Sequence, residues 1–435
     1  MRSFTAGLAA LFLFHNAACA SAAAASDNAA ALKSITATMP QVIEWRRDIH
    51  SHPELSAREY RTSKLIAVSL RAMGLEVRTG VSHTGVVAVL KGGRPGRVLA
   101  LRADMDALPV KEDTGLSFAS TATGLYNGNT VPVAHACGHD THVAMLLGAA
   151  AVLAQMRQSI PGTILFIFQP AEEGAPEGET SGAKKMLIDG AFSNPKPDAI
   201  FGLHVVPGQS GSISYRSGGF QAAADKIEID VKGKQTHAAW PWRGIDVISL
   251  GADIVGAFST LVARQTDLTD NPPVLSIATF NAGVRNNIIP ENLVMTGTLR
   301  TFSPSQQTAV VAQVRRVVQN LAANYGASVQ IKIEQTAPAI INDPALSRWI
   351  SGSLGEASNG NLNTDARATT VADDFAYFGN QVPAVFYHLG ATKPGVDLAT
   401  APPNHSPKFD VDEAALEVGI RAHVLTALNY LNENP

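Results

Sequence analysis

Cysteine is almost missing from this chain: 435 residues contain two, Cys19 and Cys137. Cys19 stands in Ala18-Cys19-Ala20, an A-x-A pattern that suits signal peptidase, behind an apolar run that starts after Arg2 and ends near Phe14. Cleavage after Ala20 leaves Cys137 alone, which excludes an internal disulfide in the mature chain. The N-terminal run is also short for a membrane span of ~20 residues, and His15 and Asn16 interrupt it. The expectation is a removed signal peptide (residues 1–20) and an exported protein, periplasmic or secreted, with no membrane association after cleavage. Lipid anchoring at Cys19 is disfavoured, because Asn16 lies where such a signal needs an aliphatic residue.

Charge of one sign is lacking too. Lys and Arg number 34 against 37 Asp and Glu, and they are scattered rather than striped, which excludes nucleic acid as an expected partner. No short-period repeat and no low-complexity region appears beyond the N-terminus. With 46% apolar and 16% charged residues the chain suits a compact protein rather than a disordered one. Its length exceeds one ordinary core and predicts about two domains.

What is present falls into blocks. Residues 21–31 are polar and Ala-rich and read as a tether. From residue 32 to 218 helix and strand patterns alternate. "EYRTSKLIAVSLRAMG" has helical spacing ending at Gly74, while "RVLALRAD", "TILFIFQP" and "AIFGLHV" are short apolar runs. Continuous apolar strands suit a mostly parallel sheet covered by helices on both faces, an α/β architecture. Such sheets carry their chemistry at the carboxyl ends of the strands, where this chain places Asp104, Asp106, Glu172, Glu173 and His204. Residues 219–333 follow the order β-α-β-β-α-β, that of a ferredoxin-like α+β unit, with a helix capped at Ser303 or Ser305. This unit reads as an insertion, after which residues 334–435 return to the α/β pattern.

"VAHACGHDTH" gathers His135, Cys137, His139, Asp140 and His142. Cys137 and His139 lie two apart in a Gly-containing loop that can aim both side chains at one point. Thiolate and imidazole are good ligands for zinc and related ions. The competing reading is a buried thiol beside a helix-capping His and Asp. In "QPAEEG", after the apolar "ILFIF", two adjacent carboxylates can divide labour, one holding metal and the other moving protons. A solvated acidic turn is the ordinary alternative. Taken singly, His204 in "FGLHVVPG" reads as a core histidine and His405 in "PPNHSPKFD" as a surface one.

The blocks in order resemble a metal-dependent amidohydrolase family, the branch of the aminoacylase and carboxypeptidase group with hippurate hydrolases, N-acyl-amino-acid amidohydrolases and auxin-conjugate hydrolases. The resemblance runs end to end, through "RRDIHSHPELSAREYRT", "LALRADMDALPV", "HACGHDTH", "FQPAEEG", "LHVVPG", "KGKQTHAAWPWRGIDVI", "NNIIPE", "GTLRTF", "ADDFAYF" and "HSPKFDVDE". It implies a di-metal hydrolase domain with an inserted lid and dimerisation domain, and a homodimer. It implies two divalent ions per subunit, zinc or manganese, with cobalt or nickel also compatible with S/N/O ligation. The implied ligands are Cys137, His139, Glu173, His204 and His405. Glu172 matches the general acid/base and Asp106 a carboxylate that orients a ligand. His237 matches a histidine that reaches a neighbouring subunit's site to stabilise the oxyanion, and Asn287 and Arg300 match groups that hold the substrate carboxylate. Asp104 stands where other branches carry a histidine ligand and is left out of the ligand set. Thr141, Asp373 and Asn404 depart from the usual Gly, Glu and apolar residue at their positions. The implied reaction is hydrolysis of the amide bond of an N-acyl amino acid. Dipeptidase or carboxypeptidase action on a dipeptide, and a non-catalytic binding protein on the same fold, are the alternatives.

Overall fold

A computed structural model of the chain describes residues 6–176 and 178–433, and of residues 6–27 the backbone alone. Residues 1–5 of the expected signal peptide therefore lie outside the described residues. The chain divides into two compact units. The first comprises residues up to Tyr215, Asp343–Ala366 and Phe378 onward, and the second Arg216–Asn342 with Arg367–Tyr377.

The first unit is built on an eight-stranded sheet. In spatial order its strands are Glu76–Val81, Gly85–Lys91, Pro161–Gln169, Arg94–Asp104, Ala199–Gln209, Ala384–Thr392, Ile213–Ser214 and Leu362–Asn363. The four long strands from Pro161–Gln169 to Ala384–Thr392 are mutually parallel, and Glu76–Val81 and Gly85–Lys91 run antiparallel at one side. Their sequences are continuous apolar runs because neither face meets water. Leu99, Leu101, Ile164, Phe166, Phe168, Phe201 and Val385 are all fully buried. The helices Ala6–Ser51, His139–Gln155 and Ala414–Asn432 share this core. His139–Gln155 is apolar nearly all round, as expected for a helix enclosed by protein on every side. Parallel register sets Asp104 beside Gln169 and His204 beside His388, so the strand ends that carry acids and histidines lie along one edge.

The residues expected as a tether, 21–31, form part of the helix Ala6–Ser51. Alanine has the highest helix propensity, so an Ala-rich stretch continues a helix unless something breaks it. From Ala31 onward, buried Ala31, Ile35, Val42 and Ile49 give the helix an apolar stripe against the core.

The second unit holds a four-stranded antiparallel sheet in the order Val274–Ala282, Asn292–Thr301, Ala223–Lys232, Ser328–Ala337. Strand alternation turns Ile227, Ile229 and Val231 into a core with Leu250, Ile254, Val314 and Val318 from the helices Val247–Gln265 and Pro304–Tyr325. Asp246 caps the first helix through the N–H groups of Ile248 and Ser249. Ser303, rather than Ser305, caps the second through Gln306 N–H. The chain order is the β-α-β-β-α-β read from the sequence, but the unit extends past Ile333. Ser328–Ala337 runs on through polar Gln335 and Thr336, whose lack of apolar alternation hid the end of the strand. Ile340–Asn342 then pairs with Gly218–Gln221, and Thr369 accepts a hydrogen bond from Ala222 N–H at 3.1 Å, which adds residues 367–377.

Candidate metal centre

Seven of the residues singled out in the sequence converge in the first unit: Asp106, Cys137, His139, Glu172, Glu173, His204 and His405. The strand Arg94–Asp104 delivers Asp106 just past its end. Pro161–Gln169 delivers Glu172 and Glu173, after Ala171 turns the chain with a φ of 50°. His204 lies within Ala199–Gln209, and His139 is the first residue of the helix His139–Gln155. Gly138 precedes it with a φ of 88°, and a Cβ there would lie 2.5 Å from Val205 Cγ2. Both the left-handed turn and the close approach require glycine.

Two groups of donor atoms form. Cys137, Glu173 and His405 have ligand atoms within 4.8 Å of one another, and so do His139, Glu172 and Glu173. His405 Nε2 lies 3.0 Å from Glu173 Oε1, Cys137 Sγ 3.4 Å from His204 Nε2, and His139 Nε2 4.0 Å from Glu172 Oε2. Glu173 is thus common to both groups, and Cys137 faces both Glu173 and His204.

The ring tautomers suit metal binding. His139 Nδ1 faces the Asp106 carbonyl at 2.9 Å and its Oδ1 at 3.2 Å, so Nδ1 carries the proton. His139 Nε2 is then left buried with no hydrogen-bond partner among the described residues. Such an orphaned buried nitrogen is what an ion would satisfy, in place of the proton that Asp104 and Asp106 otherwise favour on the ring. His204 Nδ1 donates to the Val205 carbonyl at 2.7 Å, which leaves its Nε2 lone pair toward Cys137. Asp106 Oδ2 accepts Ser56 Oγ–H at 2.7 Å and Glu173 N–H at 3.0 Å, so its carboxylate holds the acidic loop while its main-chain carbonyl orients the ring.

Charge in the site points the same way. Burial, and then Glu173, Glu172 and Asp104, push the Cys137 thiol well above its ordinary pKa. Burial opposes a charge on His139, but Asp104 and Asp106 outweigh it and raise the ring to about 10. The protein alone gathers more negative charge here than it neutralises. A divalent cation relieves this repulsion and favours thiolate over thiol. The donor set of sulfur, imidazole and carboxylate therefore fits divalent metal.

The fourfold proximity of Asp104, His139, His142 and His204 is a different matter. His142 Nε2 accepts Val205 N–H at 2.9 Å while its Nδ1 donates to Asp104, so both nitrogens are used. Asp104 is further held by Arg102, and both are fully buried. These two residues brace the strand ends and are not available to an ion. His50 sits between Asp140 at 2.9 Å and Glu112 at 3.1 Å. Burial opposes its charge, but these acids raise it to about 9. Arg46 adds a 3.0 Å bond to Asp140, so the polar groups beside Cys137 and His139 anchor the loop.

Glu59 was missed. Its buried carboxylate accepts the N–H groups of Ala57 and Ala171, each at 2.9 Å, and the hydroxyl of Thr84. Ala57 and Ala171 both have positive φ, 60° and 50°, so one side chain fixes two strained turns. Ala171 directly precedes Glu172, which makes Glu59 a support of the acidic pair. In sequence it stands one residue before the helix Tyr60–Ala72 and looks like an ordinary helix-start acid.

His237, Asn287 and Arg300 lie in the second unit. Exposed His237 is in a two-residue strand paired with Ile288 and Ile289, and its Nδ1 accepts Ala239 N–H at 3.0 Å. The Asn287 carbonyl accepts Ala238 N–H at 3.0 Å, so these two positions are neighbours. Arg300 is on Asn292–Thr301, half-buried near Asp225. Burial, partly offset by that acid, lowers its pKa.

Residues 100–429 match Peptidase family M20/M25/M40. The chain is 39% identical over 395 residues to thermostable carboxypeptidase 1 of Saccharolobus solfataricus, covering 90% of this chain and 96% of that one. It is 37% identical over 380 residues to an N-acetylcysteine deacetylase of Bacillus subtilis, covering 87% and 93%. Among solved structures, a dinuclear metal-binding peptidase of the M20 family from Bacillus subtilis superposes with a TM-score of 0.75. It shares 34% identity, with 91% of this chain and 99% of that one covered. The chain belongs to peptidase family M20/M25/M40 and is a metallohydrolase of that family.

Proposed function

We propose that this protein hydrolyses the amide bond of small N-acyl amino acids, releasing the acyl group as a carboxylate and the free amino acid. The observation that carries the reading is the pairing of an acidic residue, Glu172, with a ligand-ready set whose His139 Nε2 has no hydrogen-bond partner among the described residues. Cys137, His139, Glu173, His204 and His405 would hold two divalent ions. When bound, the ions supply Lewis acidity for the scissile carbonyl and acidify water. Glu172 takes a proton from the attacking water and returns it to the amide nitrogen as the C–N bond breaks. Asp106 keeps His139 in the tautomer that presents Nε2. Zinc or manganese suits this donor set best, with cobalt and nickel also acceptable.

His237 is assigned to the oxyanion of a neighbouring subunit in a homodimer, and Asn287 and Arg300 to the substrate carboxylate. These roles rest on the motifs that hold them. The signal-like N-terminus assigns the protein to the periplasm or the medium, and the N-terminal mass of the exported protein checks this.

A dipeptidase or carboxypeptidase reading is favoured by the likeness to a thermostable carboxypeptidase. The likeness to an N-acetylcysteine deacetylase supports the acyl reading. Both substrates are amides with a free carboxylate and differ on the acyl side. Turnover of N-acetyl and N-benzoyl amino acids measured beside dipeptides separates them. Higher kcat/KM for every dipeptide would overturn the acyl reading.

A further inference from the structure

We propose that Asn404 is a positioning residue of the metal centre, whose side-chain amide joins the segments carrying Cys137, His204 and His405 into one rigid donor set. The inference rests on the reading of those three residues as metal ligands. Asn404 Nδ2 donates to the carbonyl of Cys137 at 3.1 Å and to the carbonyl of Val205 at 3.1 Å. Both partners can only accept, which fixes the amide with its nitrogen inward. The same nitrogen lies 3.8 Å from Cys137 Sγ, within reach of a weak bond to sulfur.

The Val205 carbonyl is the important partner. It also accepts from His204 Nδ1 at 2.7 Å, the bond that turns His204 Nε2 toward Cys137. One amide therefore braces the backbone of one candidate ligand and the orienting acceptor of a second. It does so from the position next to a third. His405 N–H donates to the Ala136 carbonyl at 2.7 Å, and His405 holds a left-handed φ of 69°. A non-glycine residue persists there only when its surroundings over-determine it. The His405–Ala136 and Asn404–Cys137 bonds together pin this turn against the Cys137 loop. The three segments come from distant parts of the chain. Their hydrogen bonds set the donor spacing before any ion arrives.

The test uses the full-length protein with Asn404→Leu and Asn404→Ala, the second leaving room for a water between the two carbonyls. Metal is removed, and cobalt(II) is titrated back against a competing chelator while the sulfur-to-cobalt charge-transfer band is recorded. Cys137→Ser serves as the reference for a lost sulfur ligand. The expected result is an affinity weakened about 10–100-fold, the range seen when groups that orient metal ligands are removed. The band shifts or weakens, while the melting temperature of the metal-free protein changes little. Wild-type affinity and an unaltered band in both variants would overturn the inference alone. A lower metal-free melting temperature with unchanged cobalt binding, or failure of both variants to fold, would also overturn it and make Asn404 a strut of the fold. Absence of the band from the wild-type protein would overturn the ligand reading, and this inference with it.

Discussion

Replacing Glu59 by glutamine isolates one buried charge. The carboxyl accepts two backbone N–H groups on Oε1 and the Thr84 hydroxyl on Oε2. Glutamine keeps an acceptor for both N–H groups, and its NH2 can donate to the Thr84 oxygen, so shape and bonding survive. The charge does not. Burial, and then the nearby Asp106, raise Glu59 from the ordinary carboxyl range to about 8. A group whose folded pKa is raised contributes stability that is full below its unfolded value and lost as pH climbs toward the folded one. Wild type and Glu59→Gln are therefore expected to melt alike in metal-free form below about pH 4.5. From there the gap widens to about pH 8 in favour of glutamine, by a few kcal/mol, each tenfold in proton affinity being about 1.4 kcal/mol. Glu59→Ala instead orphans two buried backbone donors and is less stable than Glu59→Gln by about 2–6 kcal/mol at every pH, at roughly 1–3 per donor. The assay is thermal unfolding of metal-free protein across this pH range. Parallel curves for wild type and Glu59→Gln, or a glutamine variant less stable at high pH, would show that burial does not raise the Glu59 carboxyl.

Cys137→Ser is expected to lower the bound metal content, because a serine hydroxyl stays protonated at neutral pH where thiolate binds, and elemental analysis checks it. A full complement with full activity would return Cys137 to the status of a packing residue. For His237, mixing inactive Glu172→Gln and His237→Ala proteins should restore part of the activity, since mixed dimers would contain one site with both groups. No recovery despite demonstrated subunit exchange would mean that His237 does not act across subunits.

Much of this centre was legible because each of its parts ends a recognisable local pattern. Apolar strands stop at Asp104 and Gln169 with the acids following at once, and the apolar run of a third leads into His204. The α+β unit was legible for the same reason, since period-2 and helical spacing alternate cleanly through Ala223–Lys232, Val247–Gln265 and Pro304–Tyr325. What was not legible depends on partners far away in the chain. Glu59 is 112 residues from Ala171, and Asn404 is 267 from Cys137, so no window of sequence displays either bond. Asp104 and His142 belong to the same class. Their residue types advertise ligands, and only their saturation by Arg102 and Val205 N–H shows them to be braces. The return of residues 367–377 to the second unit also rests on long-range backbone pairing that leaves no local pattern.

Under the proposed function these residues hold two metal ions, and Glu172 moves protons beside them without holding the ions itself. Metal content and turnover of Glu172→Gln, measured on one preparation beside wild type, test it most directly. Two divalent ions per chain are expected in both proteins, with turnover of an N-acyl amino acid lowered by about 10²–10⁴-fold in the variant. Near-normal turnover, or loss of the ions together with the activity, would contradict it.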